Sequence, residues 1–186
     1  ERTGITQNYY VSASGNLKKV NFLVSLDWYD ENGTQRASEY NRLSGRVNVG
    51  AEIAKNLTLN ARVNYSQSKS VSGYGLGYYN QLPWNNPYDQ NTGKVLYIAS
   101  AVRPDNGEVW YGREASNPLY APSVNPNPYS ISKSLVGDLQ LSWAITDYLT
   151  VTSTNRYSSG NYLSKSVIVP EAYNASWPEG QLSQSL

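Results

Sequence analysis

Apolar and polar residues alternate along most of this chain with a period of two, in segments separated by turns that are by turns short and long. In 42–53, Leu43, Gly45, Val47, Val49, Ala51 and Ile53 form one set, while Arg42, Ser44, Arg46, Asn48, Gly50 and Glu52 form the other. After a tight turn, 57–66 repeats the pattern: Leu57, Leu59, Ala61, Val63 and Tyr65 against Thr58, Asn60, Arg62, Asn64 and Ser66. Such alternation is a strand pattern, and no helical period fits it. The same reading predicts strands at 8–14, 20–29, 135–145 and 148–157, and a possible seventh at Ser164–Val169 that Pro170 stops. Beyond it, Trp177-Pro178-Glu179-Gly180 reads as loop, with no strand after it.

The connections differ in length in a regular way. Tight turns are expected at Gly15–Lys19, Ala54–Asn56 and Thr146–Asp147, with Gly15-Asn16 opening the first. Long connections are expected at Asp30–Tyr40, at 67–134 and after Ser158. Short turns on one side and long loops on the other characterise outer-membrane barrels. Several runs also approach the nine to eleven residues that a tilted membrane strand needs, roughly twice the mean soluble strand.

Composition narrows the chemistry. The 186 residues contain no Cys and no His. Disulfides, thiolate ligands, histidine-dependent triads and the usual zinc sites are therefore excluded for this segment. A net charge of +1 argues against a nucleic-acid partner held by counterion release. No apolar run approaches the length of a membrane-spanning helix, a test to which barrel strands are invisible. The absence of Met and of a signal-like N-terminus is expected for a chain that begins after processing or inside a longer protein. No cofactor is expected.

Two architectures accommodate the alternation. Either the apolar face meets lipid and the polar face lines a lumen, or the apolar face is the core of a soluble sandwich. The polar face is rich in Asn, Thr, Ser and Arg and poor in Lys and Glu, which favours the lumen. Six or seven strands cannot close such a barrel, and open edges are forbidden in lipid, so the remaining strands are expected elsewhere. Trp143 and Tyr148, flanking a tight turn, fit a membrane-interface girdle, although a core Trp and a turn Tyr would give the same residues. Arg42, Arg46, Asn60 and Arg62 would face the lumen.

The connection 67–134 carries Trp84, Tyr88, Tyr97, Trp110, Tyr111 and Tyr120, with Arg103 and Arg113 among them. Aromatic faces stack on sugar rings and Arg bonds carboxylates, so Trp84, Tyr88, Tyr97, Arg103, Trp110, Tyr111 and Arg113 are candidate substrate or lid contacts. Packing of the loop against itself is the competing explanation. Asp89-x-Asn91-x-Gly93 begins like a calcium loop but lacks the later acidic ligand, and reads as a turn. Asp27, Asp30 and Glu31 cluster at a strand end, but Asp27 and Asp30 belong to opposite faces, which disfavours a glycosidase pair and an enzyme.

The run NYYVSASGNLKKVNFLVSLDWYDENG, followed by YNRLSGRVNVGAEIAKNLTLNARVNYSQS, resembles the barrel of SusC/RagA-type TonB-dependent transporters of the Bacteroidetes outer membrane. LPWNNPYDQNTGK, NPLY at Asn117–Tyr120 and LVGDLQLSWAITDYLTVTSTNRYSS are similar to later family segments, extending the likeness over roughly Gln7–Tyr173. The order and spacing of these pieces carry the resemblance. It implies an all-β fold that is part of a roughly 22-stranded transmembrane antiparallel barrel with a plugged lumen. It further implies nutrient import (glycan or peptide) with a SusD-like lipoprotein, energised by the TonB complex, in an outer membrane whose lipid surrounds the wall. A secreted carbohydrate-binding β-sandwich and an outer-membrane adhesin or secretion-pore segment are the alternatives.

Overall fold

In the computed structural model the described residues are 3–35, 37–73, 86–102, 109–110, 117–172 and 178–185. They are almost entirely antiparallel β structure. Ten strands occur: β1 Ile5–Leu17, β2 Val20–Asn32, β3 Glu39–Ala54, β4 Leu57–Val71, β5 Asn86–Tyr88, β6 Val95–Val102, β7 Val109–Trp110, β8 Tyr129–Thr146, β9 Leu149–Ile168 and β10 Gln181–Ser185. One short helix, α1 (Tyr120–Val124), and a 3-10 turn at Pro170–Ala172 complete the elements. A seven-stranded sheet has the order β1-β2-β3-β4-β8-β9-β10, and a small sheet has the order β5-β6-β7.

The chain forms two compact units. The first holds residues up to Ser72, Tyr129–Ser164 and the last two residues; the second holds Gly73–Pro128 and Lys165–Gln184.

In the first unit the register brings the alternating residues into rows. Val11 lies beside Leu26, then Gly45, Tyr65 and Leu135. Ala13, Val24, Val47, Val63 and Gly137 form the next row, and Gly15, Phe22, Val49, Ala61 and Leu139 the one after. One face is thus continuously apolar because each register sets apolar positions beside apolar ones; a one-residue slip anywhere would mix the faces.

Nothing covers that face among the described residues. Val11, Leu26, Trp28, Val47, Val63 and Leu139 are all exposed, and no side chain is fully buried. Among the described residues the one buried apolar side chain, Ala172, lies in the second unit. A sandwich would bury these rows against a second sheet; here they form an open surface. From Leu43 to Ile53 the apolar positions of β3 span about 33 Å of strand at ~3.3 Å per residue. At a tilt of about 40° this gives a band about 25 Å tall, the height of a barrel's lipid-facing belt.

The turns sort by side. Lys18-Lys19, Lys55-Asn56 and Asp147-Tyr148 are two-residue turns at one end of the sheet, while 33–38 and 72–128 connect strands at the other. The first turn sits three residues beyond Gly15-Asn16. Both residues remain in β1, paired with Phe22 and Asn21, and Lys18 takes the left-handed conformation (φ 49°). Gly15 is needed for room instead, since a Cβ there would stand 2.9 Å from the Phe22 ring. A bulge at the end of β3 leaves Ile53 without a partner in β4, between the pairs Glu52–Thr58 and Ala54–Leu57.

Every strand of the wall runs past its expected end on the long-loop side. β4 reaches Val71 and β8 begins at Tyr129, so the connection between them is shorter than 67–134. The extension of β4, Gln67-Ser68-Lys69-Ser70, is polar on both faces and carries no periodic signal; ladder pairing with β3 and β8 sustains it. Ser164–Val169 is not a separate strand but largely the end of β9, and β10 occupies a tail expected to be strandless. Tyr148 belongs to a turn, not to the start of a strand.

Candidate functional site

The polar face of the large sheet brings together the four residues expected to share it. Arg42 and Arg46 lie four positions apart on β3; Asn60 and Arg62 lie two apart on β4, where Arg62 faces Asn48 and Asn60 faces Gly50. Carboxylates on the same face partly neutralise the cations. Arg42 Nη2 donates to Asp27 Oδ1 at 3.1 Å and its guanidinium lies 5.7 Å from the Tyr29 ring centre. Tyr29 in turn donates to Glu31 at 2.7 Å and meets Tyr40 edge-on. Arg156 Nε lies 3.4 Å from Asp138 Oδ1, and Arg46 Nε donates to Asn64 Oδ1 at 2.8 Å. Each ion pair is partly solvated and contributes about 0.2–1 kcal/mol, so the face is arranged more for charge placement than for stability.

This lattice encloses two shallow polar concavities. One, about 550 Å³, has Asp27, Arg42, Ser44, Arg46, Asn64 and Ser66 in its lining. The other, about 320 Å³, is lined by Arg46, Asn48, Arg62, Asn64 and Asp138. Asp138, Asn48 and Arg156 are site residues that the sequence pattern alone did not mark, and Asp27 entered there only as a disfavoured catalytic carboxylate. Strand parity was the signal that would have found them: each lies on the face of Arg42 or Arg62 once the register is known. Asp27, held by Arg42, is no free partner for a second carboxylate.

The second unit gives structure to what the sequence showed as a long loop. β5 and β6 are joined by a turn whose geometry Asp89 dictates. Its Oδ1 accepts the backbone N–H of Asn91 and Thr92 and the Thr92 hydroxyl, at 3.0, 2.7 and 2.8 Å, and Gly93 closes the turn at φ 67°. The Thr92 N–H first, then its hydroxyl, hold the Asp89 carboxyl below its ordinary value. That oxygen is engaged by its own turn, which accounts for the calcium-like spacing.

Asn117 is the hub of this unit. It is only 3% exposed, and its Nδ2 donates to the carbonyls of Pro87 and Leu96 at 2.9 and 2.8 Å. Its Oδ1 accepts the Leu119 N–H, and its own N–H donates to Tyr97 O. A side chain with donor and acceptor at its tip is what joining a hairpin to a following helix requires. Tyr97 packs edge-on against Tyr120, with ring centres 5.3 Å apart. Tyr97 therefore takes part in packing within the loop, while Tyr88 stands at the strand end, also partly exposed. Trp110 lies on β7; Trp84, Arg103, Tyr111 and Arg113 lie outside the described residues. Trp143, on the apolar face beside Leu57, is 53% exposed, and Tyr148 is 92% exposed.

No family model and no curated protein matches this chain. Solved structures do. A structure of the RagAB peptide importer in the closed-closed state aligns over 91% of this chain with a TM-score of 0.68 at 19% identity. A structure of the RagAB peptide transporter aligns over 96% with a TM-score of 0.69 at 18% identity. The fold is that of a sheet in a RagAB transport complex. The chain spans about a fifth of the length of the chains it matches, 19% and 20%.

Proposed function

We propose that this chain is a stretch of barrel wall from an outer-membrane nutrient importer of the SusC/RagA kind, with the apolar face in lipid and the polar face toward a lumen. The observation that carries this is the seven-stranded sheet whose apolar rows lie open on one face while a charged lattice occupies the other. The sequence resemblance and the fold shared with RagAB structures support the same reading. In this account Arg42, Arg46, Asn60 and Arg62 tune passage along the wall. Tyr88, Tyr97 and the other outer-loop candidates contact cargo or a SusD-like lipoprotein lid. Trp143 and Tyr148 anchor the short-turn end at a membrane interface. The rest of the barrel and a plug complete the pore, and the TonB complex supplies energy. The cargo is a nutrient such as a glycan or a peptide.

The open apolar face disfavours the soluble carbohydrate-binding sandwich. An adhesin or secretion pore would share the wall without energised uptake. The test is fractionation of the source cell with heat-modifiable gel migration, co-purification of a lipoprotein, and uptake measured with and without a functional TonB. Outer-membrane residence with TonB-dependent uptake is expected. Residence without TonB dependence would refute import, and recovery as a soluble monomer would refute the wall.

A further inference from the structure

Aromatic side chains stand at both ends of the apolar face. Register sets Tyr9, Trp28, Leu43, Gln67 and Lys133 side by side in one row, and Leu57 beside Trp143 in a row nearer the short turns. Tyr9 and Trp28 are exposed, as Trp143 is. From Leu57 to Gln67, β4 covers about 33 Å of strand, or about 25 Å of height at a tilt of about 40°. The two rows are thus spaced like the aromatic girdles of a membrane wall.

Two lysines mark the long-loop row. Lys133 lies in it, and Lys69 lies one row further out, between Asn41 and Ile131. The two are diagonal neighbours across the β4–β8 ladder, so one small anion can touch both. The Lys69 ammonium stands 5.6 Å from the ring centre of Tyr129 on β8. It therefore leans toward the strand of Lys133 and away from Glu39, its diagonal neighbour on β3. The contacts Ser142–Thr152 and Asp138–Arg156 set even positions of β9 beside even positions of β8, so Leu163 shares the face of Ile131 and Lys133. These three side chains line part of a concavity of about 660 Å³. Toward the short turns, Leu135 follows Lys133, and at Gly137 a Cβ would meet nothing within 4 Å.

We infer that Lys69 and Lys133 hold the phosphate of a membrane lipid whose acyl chains run over Leu135 and Gly137 toward the short turns. An ammonium group binds phosphate as a point charge with three donors. At headgroup height a lysine keeps its stem on apolar surface and its charge among phosphates. The occupant is a lipid because the cations adjoin apolar rows that can take its chains. The inference rests on the reading of the apolar face as the lipid side.

The test uses the intact protein in non-ionic detergent and native mass spectrometry to count retained lipid. The probes are dipalmitoyl phosphatidate, dipalmitoylglycerol, which lacks the phosphate, and excess inorganic phosphate as competitor. The wild type should retain phosphatidate over dipalmitoylglycerol by about 10-fold or more, the scale of a hydrogen bond to a charged group. The double variant Lys69→Gln/Lys133→Gln should lose that preference, Lys69→Arg/Lys133→Arg should keep it, and Lys55→Gln at the short-turn end should leave it unchanged. Equal retention of the two lipids by the wild type, an unchanged preference in the glutamine double variant, or an equal loss in Lys55→Gln would overturn the site. Displacement by inorganic phosphate would overturn the lipid as its occupant. Heat-modifiable migration certifies each variant as folded; if the glutamine double variant fails it, the two single glutamine variants decide. Recovery of the wild type as a soluble protein would sink the wall, whereas outer-membrane residence without phosphatidate preference would sink the lysine site alone.

Discussion

Replacing Val47 by arginine separates the two fates of the apolar face. Val47 sits near the middle of the β3 apolar series between Leu43 and Ile53, flanked across the ladders by Val24 and Val63. Its side chain is 42% exposed, so arginine meets no wall of protein. Steric cost is small, and the medium decides the outcome. In lipid, a cation at the mid-depth of a barrel costs about 2–4 kcal/mol. In water, a surface substitution away from special features stays within about 0.5 kcal/mol. Ser12→Lys is the control: Ser12 precedes Ala13, which lies in the Val47 row, and so introduces a cation at matching depth on the opposite face. The assay is reversible unfolding of the intact protein in liposomes, read by heat-modifiable migration. Val47→Arg should lower the folded-to-unfolded ratio by roughly 30- to 1,000-fold, and Ser12→Lys by less than about threefold. Equal effects at the two positions would refute the assignment of faces.

Further outcomes concern the second unit and the end of β9. Asn117→Ala strands the carbonyls of Pro87 and Leu96 and the Leu119 N–H; it should cost about 2–4 kcal/mol of local stability, seen as faster hydrogen exchange over 86–97 with β1–β4 unchanged. Gly180 adopts φ 85°, and a Cβ there would stand 2.6 Å from the Ile168 carbonyl oxygen. Gly180→Ala should therefore cost about 1–3 kcal/mol and expose 178–185 to limited proteolysis. The Asp89 carboxyl is held below its unfolded value of 3.8, so its turn gains stability above that pH and loses it as pH falls through the lower folded value. Protection of the Asn91 and Thr92 amides relative to their intrinsic exchange should fall as pH drops below 3.8, and Asp89→Asn should flatten that dependence.

What could be read from the residues divides along physical lines. The alternating part of the large sheet was legible because a face that is apolar on one side and polar on the other imposes period two, and Val47, Val63 and Leu139 obey it. The strand extensions were not, since residues such as Ser68 and Lys69 are solvated on both faces and are held by ladder bonds to neighbours. Gly15-Asn16 misled because glycine serves two needs, positive φ and close approach, and here the Phe22 ring uses the second. Arg42, Arg46, Asn60 and Arg62 were placed on one face by parity. The ion pairs Arg42–Asp27 and Arg156–Asp138, and the placement of Arg62 across the ladder from Asp138, 76 positions away, depend on registers between strands that no local pattern encodes. Asn117 was visible as part of a family-like segment, but its hydrogen bonds to Pro87 and Leu96 exist only once the hairpin has formed.

The central claim concerns what touches each side of β3. The segment has no cysteine, so single cysteines can be introduced at each position from 42 to 53 and spin-labelled in the intact protein, cleared of any cysteine elsewhere, in liposomes. Collision with dissolved oxygen reports lipid, and collision with a water-soluble nickel chelate reports water. Labels at 43, 45, 47, 49 and 51 should favour oxygen and those at 42, 44, 46, 48 and 50 the chelate, in strict alternation. Odd-numbered labels shielded from both reagents, or all labels open to the chelate, would contradict the account.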